Sequence, residues 1–433
     1  MRPSVCPVPE SSVMKRVHPA WIVAACTFAV LLVAAGIRST PGVLIVPLEA
    51  EFGWSRSTIS FAVAVNLLLY GLIGPFAAAV LERFGLRRTV GCALALLSLG
   101  VALTPLMTRP WHLVLLWGVL VGSGSGVVAL VLASTVASRW FSAKRGMVMG
   151  LLTASTATGQ LLFLPLLAYL AETFGWRAVS ICISAVAAAM ILPVLAFLWD
   201  RPSDRGIPPY GGTAIVPRVA PTVNPARRAI GALGVGVANR DFWLLAGSFF
   251  VCGASTNGLI GTHLIPACVD QGIPEVTAAG LLAAMGIFDM VGTTLSGWLS
   301  DRWDNRMLLA WYYGLRGLSL LFLPFALENG AVGYTGLAVF AVFYGLDWIA
   351  TVPPTVRLAA RCFGEANAPI MFGWIAAAHQ AGAASAAWLA GITRVGTGGY
   401  MLAFMTAGVL CMSASVMVTF IGRGRTAGQA AVA

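Results

Sequence analysis

The chain has 433 residues, 58% of them hydrophobic and only 10% charged, with a mean hydropathy of +0.86. A soluble domain carries about 25% charged residues, so these proportions exclude a water-solvated globule and leave lipid as the solvent for most of the chain. The net charge of +11 does not argue for nucleic acid, because the basic residues fall in short turns between apolar runs.

Each membrane crossing needs about 20 mostly apolar residues, and it must be helical because hydrocarbon cannot satisfy open backbone groups. In chain order, runs at 20–46, 57–80, 88–107, 112–137, 146–171 and 176–198 predict six spans. Runs at 242–268, 277–299, 307–327, 333–356, 367–392 and 399–421 predict six more. The first is long and is expected to break at Pro41 and Gly42. Glycine is abundant, with 48 residues, as close packing of membrane helices favours. The expected fold is an all-α membrane protein of twelve helices in two six-helix halves, residues 1–199 and 241–433. Residues 200–240, rich in Pro, Gly and Arg, predict a flexible linker between them. The first apolar run leads straight into this pattern, so no cleavable leader is expected. The eight cysteines show no CxxC or zinc spacing. Most, such as Cys26, Cys92, Cys182, Cys252 and Cys411, sit in apolar runs as small hydrophobes, and neither disulfides nor a metal is expected.

Lysine and arginine set the orientation. Of the 27, Arg56, Arg109, Arg177 and Arg394 fall on one side, Arg38 and Arg316 lie within spans, and the other 21 share the opposite side. Positive charge stays on the cytoplasmic side, which places both termini and the linker there.

A turn recurs in the two halves. After the second span comes Ala78-x-x-x-Glu82-Arg83-Phe84-Gly85-Leu86-Arg87-Arg88. After the eighth comes Gly297-x-x-x-Asp301-Arg302-Trp303-Asp304-Asn305-Arg306, 219 residues later. A small residue lets helices approach, and the acid one turn later can pair with basic residues of the other half as the halves rock. A generic basic turn is the alternative. This pattern resembles the conserved loop motif of the major facilitator superfamily, with Ala78 for glycine, Glu82 for aspartate and Asp304 for the internal glycine. Glu82, Arg83, Asp301 and Arg302 are then the candidate gating residues. Trp140-Phe141-Ser142-Ala143-Lys144-Arg145-Gly146 with Gly150 is similar to the segment entering the fifth span of monocarboxylate transporters. Phe52-Gly53-Trp54-Ser55-Arg56 and Phe174-Gly175-Trp176-Arg177 look like turns common in bacterial relatives of that branch and of the oxalate/formate antiporters.

A charge at the bilayer centre costs at least ~2.5–3.5 kcal/mol, so those inside spans mark function or pairing. There are four, Arg38, Asp289, Arg316 and Asp347, and they sum to zero. Asp289 lies where the resemblance places a proton-coupling aspartate in the eighth span. The arginine expected one turn later is Thr293 here. Arg38 falls near the first-span lysine of monocarboxylate transporters, and its guanidinium can clamp a carboxylate through two parallel hydrogen bonds. Pairing of Arg38 with Asp289 is the alternative, and the two arrangements could alternate in one cycle. Arg316 and Asp347 lie on adjacent antiparallel spans and read first as a structural ion pair, with Arg316 as a second anion ligand otherwise. His379 aligns by resemblance with the eleventh-span lysine of oxalate/formate antiporters, and packing explains it equally well. His263 reads as a gate or packing group. Asn66, Tyr70, Gln160 and Asn257 are candidate cavity-lining groups, each equally explained by interhelical hydrogen bonding. Gly122-Ser123-Gly124-Ser125-Gly126 lacks the Lys-Ser/Thr of a phosphate loop and reads as a helix-packing face.

With no HExxH, GxSxG or CxxC, an intramembrane enzyme is not supported and no catalytic residue or cofactor is assigned. The expected function is secondary transport of a small organic anion, a mono- or dicarboxylate, coupled to protons, by alternating access. Arg38, His379, Arg316, Asn257 and Tyr70 are its substrate-site candidates and Asp289 carries the proton. The alternative is an exporter of amphipathic drugs, which an Arg38 facing lipid or buried against an acid would favour. A monomer in a bacterial inner membrane is expected. The orientation is open to test: protease added only from the outer side should leave 200–240 intact, and cleavage there would overturn it.

Overall fold

The computed structural model describes residues 18–128, 130–215, 225–328, 330–364 and 367–423. Arg2, Lys15, Arg16, Arg218 and Arg425 of the charge count lie outside the described residues, as does the side chain of Gln160.

Among the described residues there are twelve helical crossings. The first is Pro19–Phe52, the second Arg56–Phe84 and the third Leu86–Ala102. The fourth, Pro110–Trp140, passes through a π-helical stretch at Val114–Val121. Arg145–Phe197 is divided by Gly175, at φ 81 and ψ 161, into the fifth and sixth. The seventh, Arg240–Asp270, has a second π stretch at Ala254–Ile260. The eighth is Glu275–Ser300 and the ninth Asn305–Glu328. The tenth is Gly330–Asp347 continued by Val352–Phe363, the eleventh Ala368–Thr397 and the twelfth Met401–Val418. Ten stretches meet a strict test of length and apolarity for crossing a membrane. The kink at Gly175 and the small-residue helix Ala368–Thr397 supply the remaining crossings.

Two expectations about breaks are corrected. The first span does not break at Pro41 and Gly42: Pro19–Phe52 is one helix running through Pro41 and Pro47. A proline removes only one amide, and membrane helices tolerate that loss. Gly42 instead admits the seventh span, whose Gly261 carbonyl lies 3.2 Å from where a Cβ would stand. The break falls in the tenth span, at residues 348–351, ahead of Pro353 and Pro354. The described parts of the linker, 200–215 and 225–240, are also more ordered than its composition predicts. Asp200 Oδ1 accepts from Arg87 N at 3.0 Å, and Tyr210 pairs with the 140–143 turn through Trp140 O, Ser142 N and Ala143 N. Pro225–Val237 is a helix.

Small residues decide how the spans cross. Gly122 and Gly126 meet Asn66 and Tyr70 backbone of the second span, and Gly124 meets Ala93 of the third. The Gly122–Gly126 run is thus a packing face, as its sequence suggests. Gly292 lies against Leu346 backbone and Gly345 against Met285 backbone, bringing the eighth and tenth spans together. Across the seam between halves, the second span packs on the eleventh, the fifth on the eighth, and the first on the seventh. Exchange of halves maps the first two contacts onto each other, as the repeated turn implies. Gly292→Val should lower the melting temperature, by the ~1–3 kcal/mol of an overpacked contact. Gly280→Val, with open space around it, should not, and equal shifts would refute the packing account.

Candidate functional site

The tenth-span break organises the polar interior of the second half. Proline at 354 cannot donate to Ala350 O, and Ser296 Oγ of the eighth span does so instead, at 2.5 Å. Ile349 N turns to Asp289 Oδ1 at 2.8 Å. The carbonyls of Asp347 and Trp348 accept from Arg316 Nη2, at 2.5 and 3.2 Å. Arg316 is fully enclosed, at 0% exposure. Its Nε donates to Asp347 Oδ2 at 2.6 Å and its Nη1 to Cys252 Sγ at 2.8 Å. An anion reaching Arg316 would have to displace these partners. Cys252 also contacts Thr351 Oγ1 at 3.3 Å. His379 belongs to this group, interacting with Cys252 and packing on the Phe249 ring at 4.7 Å.

Asp289 accepts from Thr293 Oγ1 at 2.8 Å as well as from Ile349 N. The residue that departs from the resemblance therefore serves the same carboxylate through a hydroxyl. Asp289 does not meet Arg38, so the direct pair of the alternative reading is not formed: its Oδ1 is held by the broken helix of its own half.

Arg38 is half-buried in an apolar helix and has no hydrogen bond or ion pair among the described residues. Its guanidinium stands over the Tyr70 ring, 5.4 Å from the centroid, within cation–π reach. The next residue, Gly71, lies against the side chain of Gln380 on the eleventh span. Gln380 Oε1 is buried and unpartnered. The structure thus brings Arg38 to Tyr70 and, across the seam, sets Gln380 against the glycine that follows Tyr70. The sequence analysis passed over Gln380 for its neighbour His379, although a polar amide in a run of alanines was a visible signal. Asn257 lies in the π stretch of the seventh span; its carbonyl accepts from Thr262 Oγ1 at 2.8 Å and its side chain has no partner among the described residues. Asn66 donates to Trp117 O at 2.6 Å and is a packing group.

The seam is closed by charge at the end of the bundle opposite the linker. Arg56, 5% exposed, donates to Glu49 at 2.7 Å and through both terminal nitrogens to Asp270, at 2.8 and 2.7 Å. It also reaches Tyr400 Oη at 3.1 Å. Arg394 adds a bond to Asp270 at 2.7 Å. His263 is fully buried between Tyr400 Oη and Ala387 O, at 3.2 and 2.7 Å. Beside this network Val276 N lies 3.4 Å from Glu172 Oε1, another contact between halves. In the sequence Arg56 stands out only as one of four basic residues on this side, with no sign of its partners.

At the linker end the expected pairing of the turn acids with the other half is not seen. Asp301 pairs with Arg357 of its own half. Arg302 packs on Trp298, 4.2 Å from the ring, and Arg83 on Phe84 at 5.4 Å. Glu82 has no partner among the described residues. With the opposite end sealed, the turns at this end are left to local partners.

The sequence model of the Major Facilitator Superfamily matches residues 26–352. The chain is 26% identical over 386 residues to an uncharacterized MFS-type transporter, YcxA, of Bacillus subtilis, covering 88% of this chain and 90% of that one. It is 28% identical over 415 residues to human monocarboxylate transporter 11, covering 94% and 83%. Among solved structures, a partially occluded inward-open form of the xylose transporter XylE from E. coli matches with a TM-score of 0.69 at 16% identity, covering 94% of this chain and 99% of that one. A bacterial homologue of the human lysosomal transporter Spinster, inward-facing and unoccupied, matches with a TM-score of 0.74 at 14% identity, covering 94% and 97%. Twelve crossings in two halves, the repeated acid–arginine turn and the family match together place this chain in the Major Facilitator Superfamily, an integral membrane transporter of small molecules and not an enzyme.

Proposed function

We propose that the chain carries a small organic anion, a mono- or dicarboxylate, across a bacterial inner membrane with protons, by alternating access. The observation that carries this reading is Arg38, a guanidinium inside an apolar span with no acid beside it. An unpaired cation inside a span is costly and calls for an anion, and a drug exporter would place this charge against an acid or in lipid. Similarity to human monocarboxylate transporter 11 supports the substrate class. Tyr70 and Gln380 complete the anion site, one from each half, so that the bound anion bears on both.

Asp289 is the proton carrier in this reading. Its carboxylate holds the freed amide of Ile349, and a protonated carboxyl is a weaker acceptor there. Protonation therefore loosens the tenth-span break, and coupling to Arg38 passes through that span and the seam. With the termini cytoplasmic, the Arg56–Asp270 end is the outer one, and the described state is closed to the outside.

Two measurements test this. In liposomes, Arg38→Ala should weaken binding of the transported carboxylate about thirtyfold or more, the low end of ~2 kcal/mol for losing one partner of a buried charge pair. Asp289→Asn should bind the carboxylate with little pH dependence and fail at accumulation driven by a pH gradient. Normal binding by Arg38→Ala, or full accumulation by Asp289→Asn, would sink the mechanism. For the closure, Ser60→Cys places a thiol where Gly391 covers it. Arg56→Gln and Asp270→Asn should each speed its labelling from outside about tenfold, since breaking a buried pair shifts the equilibrium toward opening. Unchanged labelling would remove Arg56 from the gate.

A further inference from the structure

The linker helix Pro225–Val237 lies where the halves meet. It packs against the second, seventh and eleventh spans. Ala229 is buried, its carbonyl accepting from Trp374 Nε1 at 2.9 Å, and Trp374 in turn meets the Phe76 ring at 5.8 Å. The helix therefore touches both halves at the end opposite the Arg56 network.

Its remaining surface is not what a solvent-facing connector needs. Ile230 and Val237, seven residues apart in a stripe on one side of the helix, are 59% and 46% exposed, while Leu233 between them packs on the core. Trp243, 57% exposed on the first turn of the seventh span, continues the stripe, its indole donating to Val237 O at 2.9 Å. Less than a quarter turn from Ile230 on the helix circumference lies Arg227, with Arg228 beyond it. Both are exposed and make no hydrogen bond or ion pair among the described residues. An apolar stripe with unpaired arginines to one side of it, ending on an exposed tryptophan at a span terminus, is the pattern of a helix lying in the headgroup layer.

We propose that Pro225–Val237 is an interfacial helix that binds anionic phospholipid headgroups through Arg227 and Arg228, with Ile230 and Val237 in the acyl boundary. The occupant is a lipid and not a protein partner, because the stripe continues onto the lipid-exposed face of a membrane span. Each arginine near an anionic surface should strengthen the attachment about fivefold. Because the helix rests on both halves, the lipid it holds would bear on the opening of this end. The proposal is independent of which molecule is transported.

The purified full chain in nanodiscs of phosphatidylcholine, or of phosphatidylcholine with phosphatidylglycerol, tests this by hydrogen exchange of the 225–237 amides. Phosphatidylglycerol should slow that exchange at least fivefold, and inorganic phosphate added to phosphatidylcholine discs should not. Arg227→Gln/Arg228→Gln should lose the difference between lipids while exchange elsewhere in the chain is unchanged. Equal exchange in both lipids for the natural protein, an undiminished difference in the variant, or protection by phosphate alone would overturn the proposal.

Discussion

A helix that breaks inside hydrocarbon must find new partners for the amides and carbonyls it releases, because no water is there to take them. The tenth span breaks ahead of two prolines, and side chains of the eighth and ninth spans answer it. Arg316 takes two carbonyls, Ser296 takes a third and Asp289 takes an amide. The polar interior of the second half is arranged around that need. Arg316 is enclosed because its carbonyl partners are, and Asp347 holds it there against the cost of desolvating both charges.

The same requirement divides the four intramembrane charges. Arg316 and Asp347 neutralise each other within one half. Asp289 remains in that half as an acid held by an amide and a hydroxyl, and Arg38 remains in the other as a cation against an aromatic ring. Each half so keeps one uncompensated charge, of opposite sign. Such an arrangement ties the energy of each half to what lies between them. It also separates Arg38 from Asp289, so the coupling proposed between them has to run through helix packing and not through direct contact.

The seam is where these parts meet. Glycines and alanines on the second and eleventh spans allow close approach along their length, from Ser60 beside Gly391 to Phe76 beside Trp374. Close approach gives large dispersion contact without a large side chain to repack, so such a surface can slide or separate as a unit. Charge then decides which end stays closed. Arg56 gathers acids from both halves and is buried by them, whereas the acid–arginine turns at the other end find partners nearby.

Much of this was legible in the chain itself. The spans, the two halves and the repeated turn follow from period, composition and the lysine and arginine pattern, because a membrane imposes the same demand on every crossing. The glycine run at 122–126 and the Arg316–Asp347 pair were readable for the same reason: small residues and buried charges have few uses in lipid. Pro41 and Pro353-Pro354 mark the limit. Both sequences signal a break, yet one helix continues and the other opens. The outcome depends on whether neighbouring spans offer donors and acceptors to the released groups, as Arg316, Ser296 and Asp289 do for the tenth. Arg56 and Gln380 are the same case. Their residue types sit plainly in the sequence, but only packing across the seam gives Arg56 its acids and leaves Gln380 without a partner beside Tyr70.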